Sequence, residues 1–128
     1  MKFLLDTHTF LYWDAQKEKL SDKVLALLED QQNELFLSLA SIWEIQIKIQ
    51  IGKLSLNFPL STTIDTHQQT NQLQLLPVAT KHIYNLSQLP FHHKDQFDRM
   101  LISQARTEDF YLLSKDGKFS AYDVKVIW

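Results

Sequence analysis

Five short apolar runs constrain the fold more than any other feature of the chain. Lys2-Phe3-Leu4-Leu5, Leu35-Phe36-Leu37, Leu73 to Val78, Tyr111-Leu112-Leu113-Ser114 and Val124-Lys125-Val126-Ile127 each have the length and side chains of a buried strand. Pro77 weakens the end of the third, because proline cannot donate to a ladder. Helical patterns fall between the runs. Phe10, Leu11 and Trp13 follow the first, and Ser21 is placed to cap a helix carrying Val24, Leu25, Leu27 and Leu28. A polar helix is expected from Ser61 through Asn71, and Thr80 is placed to cap a short one bearing Ile83, Leu86 and Leu89 before Pro90 ends it. Strands alternating with helices predict an α/β fold of three layers, with a mostly parallel sheet covered on both faces. At 128 residues the chain is expected to form one domain, 1–128, with a real core.

Composition excludes several classes of chemistry. The chain has no cysteine, which removes disulfides, thiolate zinc sites and thiol nucleophiles, and fits a reducing cytoplasm. No apolar run approaches the roughly 20 residues that span a membrane, so no membrane partner is expected. The formal charge of −2 does not advertise a polyanionic partner through bulk electrostatics.

The most informative stretch for function is HHKDQFDRMLISQA at 92–105. Leu101, Ile102 and Ala105 lie three, four and seven positions after Asp98, so a helix puts all four on one face. That face is apolar and points at a core, which leaves a carboxylate at its leading end. A charge so placed needs a partner. Asp95, three residues earlier, also gives the pair the form of a capping box. Asp6 at the end of the first strand either lines a ligand site or, with Thr7, caps the next helix. Asp116 either joins that site or serves the Asp116-Gly117 turn. The segment from Ser38 to Ile51 stays open. Ile45, Ile47, Ile49 and Ile51 alternate as in a strand, whereas Ser41 with Glu44 resembles a capping box and Ile42, Ile45 and Ile49 fit a helix face.

Asp6, Glu44, Asp98 and Asp116 share a pattern. In a parallel sheet, strand carboxyl ends and the amino ends of the following helices lie at one edge, so the coarse topology draws all four acids towards one rim. Hard oxygen donors without cysteine suit Mg²⁺ or Mn²⁺ rather than zinc. Such a cluster can support phosphodiester hydrolysis by water, with no side-chain nucleophile.

In these pieces the chain resembles PIN-domain ribonucleases, specifically the VapC-like toxins of bacterial toxin–antitoxin pairs. The resemblance rests on FLLDTHTFLYW at 3–13, SLASIWEIQIK at 38–48 with IGKL at 51–54, LPFHHKDQFDRMLISQA at 89–105 and LLSKD at 112–116. It implies an endoribonuclease that hydrolyses RNA with Mg²⁺ or Mn²⁺ held by Asp6, Glu44, Asp98 and Asp116. It also implies a cognate antitoxin, a homodimer, and a helix for the Trp43-Glu44-Ile45 segment. Gln96 departs from the family's usual proline before Phe97-Asp98, at a position that contributes no acid.

Around these acids, Thr7 and Ser114 bring hydroxyls to the presumed site, as contacts to the ligands or to metal-held water. Asp95 is read as the helix cap, with a water-mediated metal contact as the alternative. His92 and His93 either reach substrate phosphate or are exposed loop residues. Arg99 either approaches a phosphate or an interfacial carboxylate, or stands on the surface. Bound divalent cations would reverse the chain's small net negative charge and supply the attraction for phosphate that composition lacks. Two other readings remain open: a receiver-like Mg²⁺-binding signalling domain, and a non-catalytic binding module on the same fold. The first wants paired acids after the first strand, where this chain has Asp6-Thr7-His8.

Overall fold

The computed structural model describes residues 1–91 and 95–128. Among them, five strands form one parallel sheet: β1 (Lys2–Leu5), β2 (Glu34–Ser38), β3 (Gln74–Leu76), β4 (Tyr111–Leu113) and β5 (Val126–Ile127). Their order across the sheet is β3-β2-β1-β4-β5, and every adjacent pair is parallel. The third and fifth strands are shorter than the apolar runs that announced them. Pro77 lacks the donor needed to extend β3. Tyr122 to Lys125 lead into β5 as irregular chain, held by Leu112 N–H donating to the Lys125 carbonyl (2.7 Å).

Among the described residues, six helices cover the sheet: α1 (Thr7–Ala15), α2 (Asp22–Glu29), α3 (Leu39–Gln50), α4 (Leu60–Asn71), α5 (Thr80–Asn85) and α6 (Gln96–Glu108), with short 3₁₀ turns at Lys17–Lys19, Leu86–Gln88 and Gly117–Ala121. Side chains alternate across a strand, so β1 divides the core in two. Phe3 and Leu5 join Leu35, Leu37 and Leu113 under α1 to α4, where Phe10, Val24 and Ile45 are buried. Leu4 and Leu112 face the other way, under Leu101, Ile102 and Ala105 of α6. Both faces are covered, as the continuous apolar character of β1 requires. Ser21 caps α2 by accepting from Val24 N–H (3.1 Å). The Ser38–Ile51 segment is a helix, against its period-two isoleucines. Ile45 is buried and Ile42 and Ile49 pack on the core, while Ile51 is exposed. Thr80 is the first residue of its short helix rather than the cap, a position held by Ala79, and the helix tightens into the 3₁₀ segment at its end.

Chain order in the sheet places the functional edge. From β1 the chain builds outward through β2 and β3, then returns to the other side of β1 for β4 and β5. The gap beyond the carboxyl ends of β1 and β4 is therefore the switch point, where open α/β sheets form ligand crevices. Among the described residues, no helix is long and apolar enough to cross a membrane.

Candidate metal centre

Asp6 and Asp116 follow the two strands that flank this switch point. Asp6 N–H donates to the Leu113 carbonyl (3.1 Å), and Thr9 Oγ1 donates to the same oxygen (2.9 Å). These bonds tie the β1–α1 turn to the end of β4. Asp6 caps α1, its Oδ1 accepting from Thr9 N–H at 2.7 Å. Asp116 caps the last 3₁₀ turn by accepting from Lys118 N–H (2.9 Å), and its own N–H donates to Ser114 Oγ (3.0 Å). Both acids thus hold the local jobs their sequence context offered, and they also line one cleft of about 200 Å³ with His8, Thr9, Tyr12 and Lys115. Asp6 is only 4 % exposed. Burial pushes its carboxyl above the ordinary aspartate range, against hydrogen bonds from Ser114 and Thr9 that favour the charge.

Glu44 reaches the neighbourhood by another route. It lies in the middle of α3 rather than near its start, because Ser38, not Ser41, caps the helix by accepting from Ala40 N–H (3.0 Å). Glu44 is buried, and its Oε1 accepts from Thr7 Oγ1 at 2.7 Å. Thr7 is the residue after Asp6, and its hydroxyl also lies 3.0 Å from Ser41 Oγ. Glu44 Oε2 pairs with Lys48 Nζ at 3.0 Å, one helical turn on. Thr7 thus hydrogen-bonds Glu44, and Ser114 hydrogen-bonds both Asp6 and Asp116.

At the start of α6, Asp95 is the cap, accepting from Phe97 N–H (2.9 Å) and Asp98 N–H (3.2 Å). Asp98 is left half-buried in the first helical turn, above the buried Leu101, Ile102 and Ala105. Phe97 beside it meets the Trp43 ring edge-on at 5.2 Å, which joins this end of α6 to α3. His92 and His93 lie outside the described residues.

Among the described residues, no three acids or histidines form a ready-made metal cage. Asp6, Glu44 and Asp116 are each turned towards a donor of their own, an arrangement that keeps like charges apart. The donor set still fits a hard divalent cation. All four candidates offer carboxylate oxygens, and Asp6 is a buried carboxylate whose charge a cation would stabilise.

Arg99 corrects the expected surface position. It is 3 % exposed, and its guanidinium donates to the carbonyls of Pro90 (2.9 Å), Leu86 (3.3 Å) and Leu89 (3.5 Å). It therefore fastens the loop entering α6 instead of facing solvent. The apolar stripe drawn from Asp98 understated the buried face: Ser103 and Gln104 are buried as well, so α6 is enclosed nearly all round at its middle. His8, Tyr12 and Lys115 are site-lining residues that the sequence reading passed over. The spacing of His8 and Tyr12, one turn apart on α1 just after Asp6, is the signal that would have found them.

A family model described as PIN domain matches residues 3–125. No curated protein gives a significant match. Solved structures share the fold at low identity. A chain of VapBC2 from Rickettsia felis, crystallised with a DNA fragment from its promoter, superposes with a TM-score of 0.76 at 17 % identity, over 99 % of this chain and 98 % of that one. DNA-bound VapBC from Salmonella typhimurium gives 0.69 at 15 % identity, over 99 % and 97 %. The PIN domain endonuclease Utp24 gives 0.52 at 11 %, over 93 % and 74 %.

Proposed function

Since the chain belongs to the PIN-domain family, we propose that it is a divalent-metal-dependent endoribonuclease, the toxin of a toxin–antitoxin pair. The observation that carries this reading is the shared cleft of Asp6 and Asp116 at the switch point of the sheet, with Asp6 buried beyond what a capping role needs. Asp6, Glu44, Asp98 and Asp116 hold the cation. Mg²⁺ or Mn²⁺, when bound, offsets the charge of the phosphodiester and eases attack by water. The chain does the positioning. Leu113 fixes the β1–α1 turn, Thr7 orients Glu44, and Asp95 starts the helix that presents Asp98. The receiver-like alternative is not favoured by the family, and a binding module would not need the buried Asp6.

The test is cleavage of RNA with Mg²⁺ or Mn²⁺ and with excess EDTA, followed by analysis of the ends. Cleavage is expected only with metal, leaving 5′-phosphate and 3′-hydroxyl termini. Undiminished activity in chelator, or a 2′,3′-cyclic phosphate, overturns the reading.

The structural relatives VapBC2 and VapBC support an antitoxin partner. Its simplest inhibitory contact is a basic side chain among the carboxylates. The homodimer has a suitable surface in the groove of about 710 Å³ between α3, α5 and α6, which includes Leu39, Trp43, Val78, Ile83, Phe97 and Met100. Trp43 is 63 % exposed there, and among the described residues no charged side chain lines the groove. A two-fold contact can place this face against its own copy, as the apolar interfaces of obligate homodimers do. Trp43→Glu is expected to give a monomer where the parent is a dimer, at the same micromolar concentration in light scattering. An unchanged dimer would move the interface elsewhere.

A further inference from the structure

The cleft that holds Asp6 and Asp116 carries a second kind of chemistry on its α1 wall. His8 and Tyr12 stand one turn apart, their ring centroids 6.3 Å from each other and their planes tilted by 39°. Both line the cleft, as does Lys115. Lys19 Nζ lies 5.5 Å from the centre of the Tyr12 ring. His8, Lys19 and Lys115 are exposed, while Tyr12 is partly buried and rests on the core beneath. The fold explains Tyr12 in part, through that packing. His8 is exposed beside Asp6, whose charge it favours electrostatically. Two rings and two lysines beside a pair of carboxylates combine what single-stranded nucleic acid needs: π surfaces for bases and cations for phosphates. A chain of formal charge −2 has no spread-out positive field to do this work, so local cations must.

We propose that His8, Tyr12, Lys19 and Lys115 form a nucleotide subsite that seats one base and its flanking phosphates beside the cleft. An unpaired base next to the scissile bond stacks on the His8–Tyr12 platform, and the two lysines meet the flanking phosphates. This rests on the nuclease reading and adds what places the strand in the cleft.

The test is fluorescence anisotropy with a labelled, unstructured RNA of about eight nucleotides in EDTA, which keeps the probe intact and removes metal bridging. A matched set carries one abasic position at a time. With the parent protein, one abasic position is expected to weaken binding about tenfold, the scale of one lost base stack. His8→Ala, at an exposed position, and Tyr12→Leu, which keeps apolar volume, should each bind intact RNA about tenfold more weakly. Both should no longer distinguish intact from abasic probe. Lys115→Gln should lower affinity for every probe and reduce the salt slope by about one. If His8→Ala and Tyr12→Leu bind intact RNA as the parent does, or still discriminate against the abasic probe, the subsite is wrong. The same outcome with metal-dependent cleavage preserved removes the subsite alone. A parent that neither binds the probe nor cleaves RNA with Mg²⁺ removes the nuclease reading with it.

Discussion

Asp6→Asn is expected to lower RNA cleavage by about a hundred- to a thousandfold, the scale on which a single electrostatic contact to a transition state is lost. In the same experiment it is expected to raise the melting temperature of the metal-free protein at neutral pH. The two effects separate because Asp6 has two jobs. As a cap, Asn serves nearly as well as Asp, so the bond from Thr9 N–H survives. As a buried carboxylate, Asp6 is held against desolvation that pushes its folded pKa above the ordinary aspartate value. A folded-state pKa that is raised means the folded protein holds its proton more tightly than the unfolded chain. The associated stability is present below the unfolded pKa and is lost as pH rises through the folded one. The advantage of the Asn variant is therefore greatest near pH 7 and shrinks towards pH 4. Melts in EDTA at both pH values, beside one cleavage assay, check this. A variant that melts lower at pH 7 and still cleaves would leave Asp6 as a cap alone.

Asp95 and Asp98 should divide the same two jobs between them. Asp95→Ala removes the acceptor for Phe97 and Asp98 N–H and is expected to cost about 1 kcal/mol, or a fall of about 3–5 °C in Tm, with cleavage kept within a few-fold. Asp98→Asn leaves that cap in place. It forfeits only the favourable placement of a charge in the first turn, about 0.5 kcal/mol, so its Tm in EDTA should stay within about 2 °C of the parent. Its cleavage should fall at least a hundredfold. Added Mg²⁺ should stabilise the parent and Asp95→Ala more than Asp98→Asn, because only a folded site with its ligands gains from the cation. If Asp95→Ala is the inactive variant and Asp98→Asn the active one, the roles are reversed.

How far the sequence could be read depended on whether one signal or two acted at a position. β1 was legible because Phe3, Leu4 and Leu5 are all buried and nothing competes with a strand there. In α3, four isoleucines at alternate positions imitate a strand. The helix prevails because only Ile45 among them is fully buried, and Ile42 and Ile49 complete a face at helical spacing. The acids were legible as residue types, but local sequence could not decide between cap and ligand. In the structure Asp6 and Asp116 cap their turns and also line one cleft, so a local cap does not remove either from the proposed site. Arg99 was misplaced because its burial depends on a loop, Leu86 to Phe91, that approaches from outside the helix. Periodicity within α6 carries no trace of that contact.

The all-parallel sheet also settles where attachments to this chain would project. Every strand runs in the same direction, and Ser114 N–H donates to the Ile127 carbonyl (3.1 Å), so Trp128 stands on the edge that carries Asp6 and Asp116. Met1 stands at the opposite edge, its carbonyl accepting from Glu34 N–H (2.8 Å). A fluorescent label, affinity handle or surface tether joined after Trp128 would crowd the entrance to the cleft of Asp6 and Asp116, where the proposed substrate and partner would have to enter. The same group joined before Met1 would leave that approach clear, which makes the amino end the side from which to immobilise the protein for binding measurements.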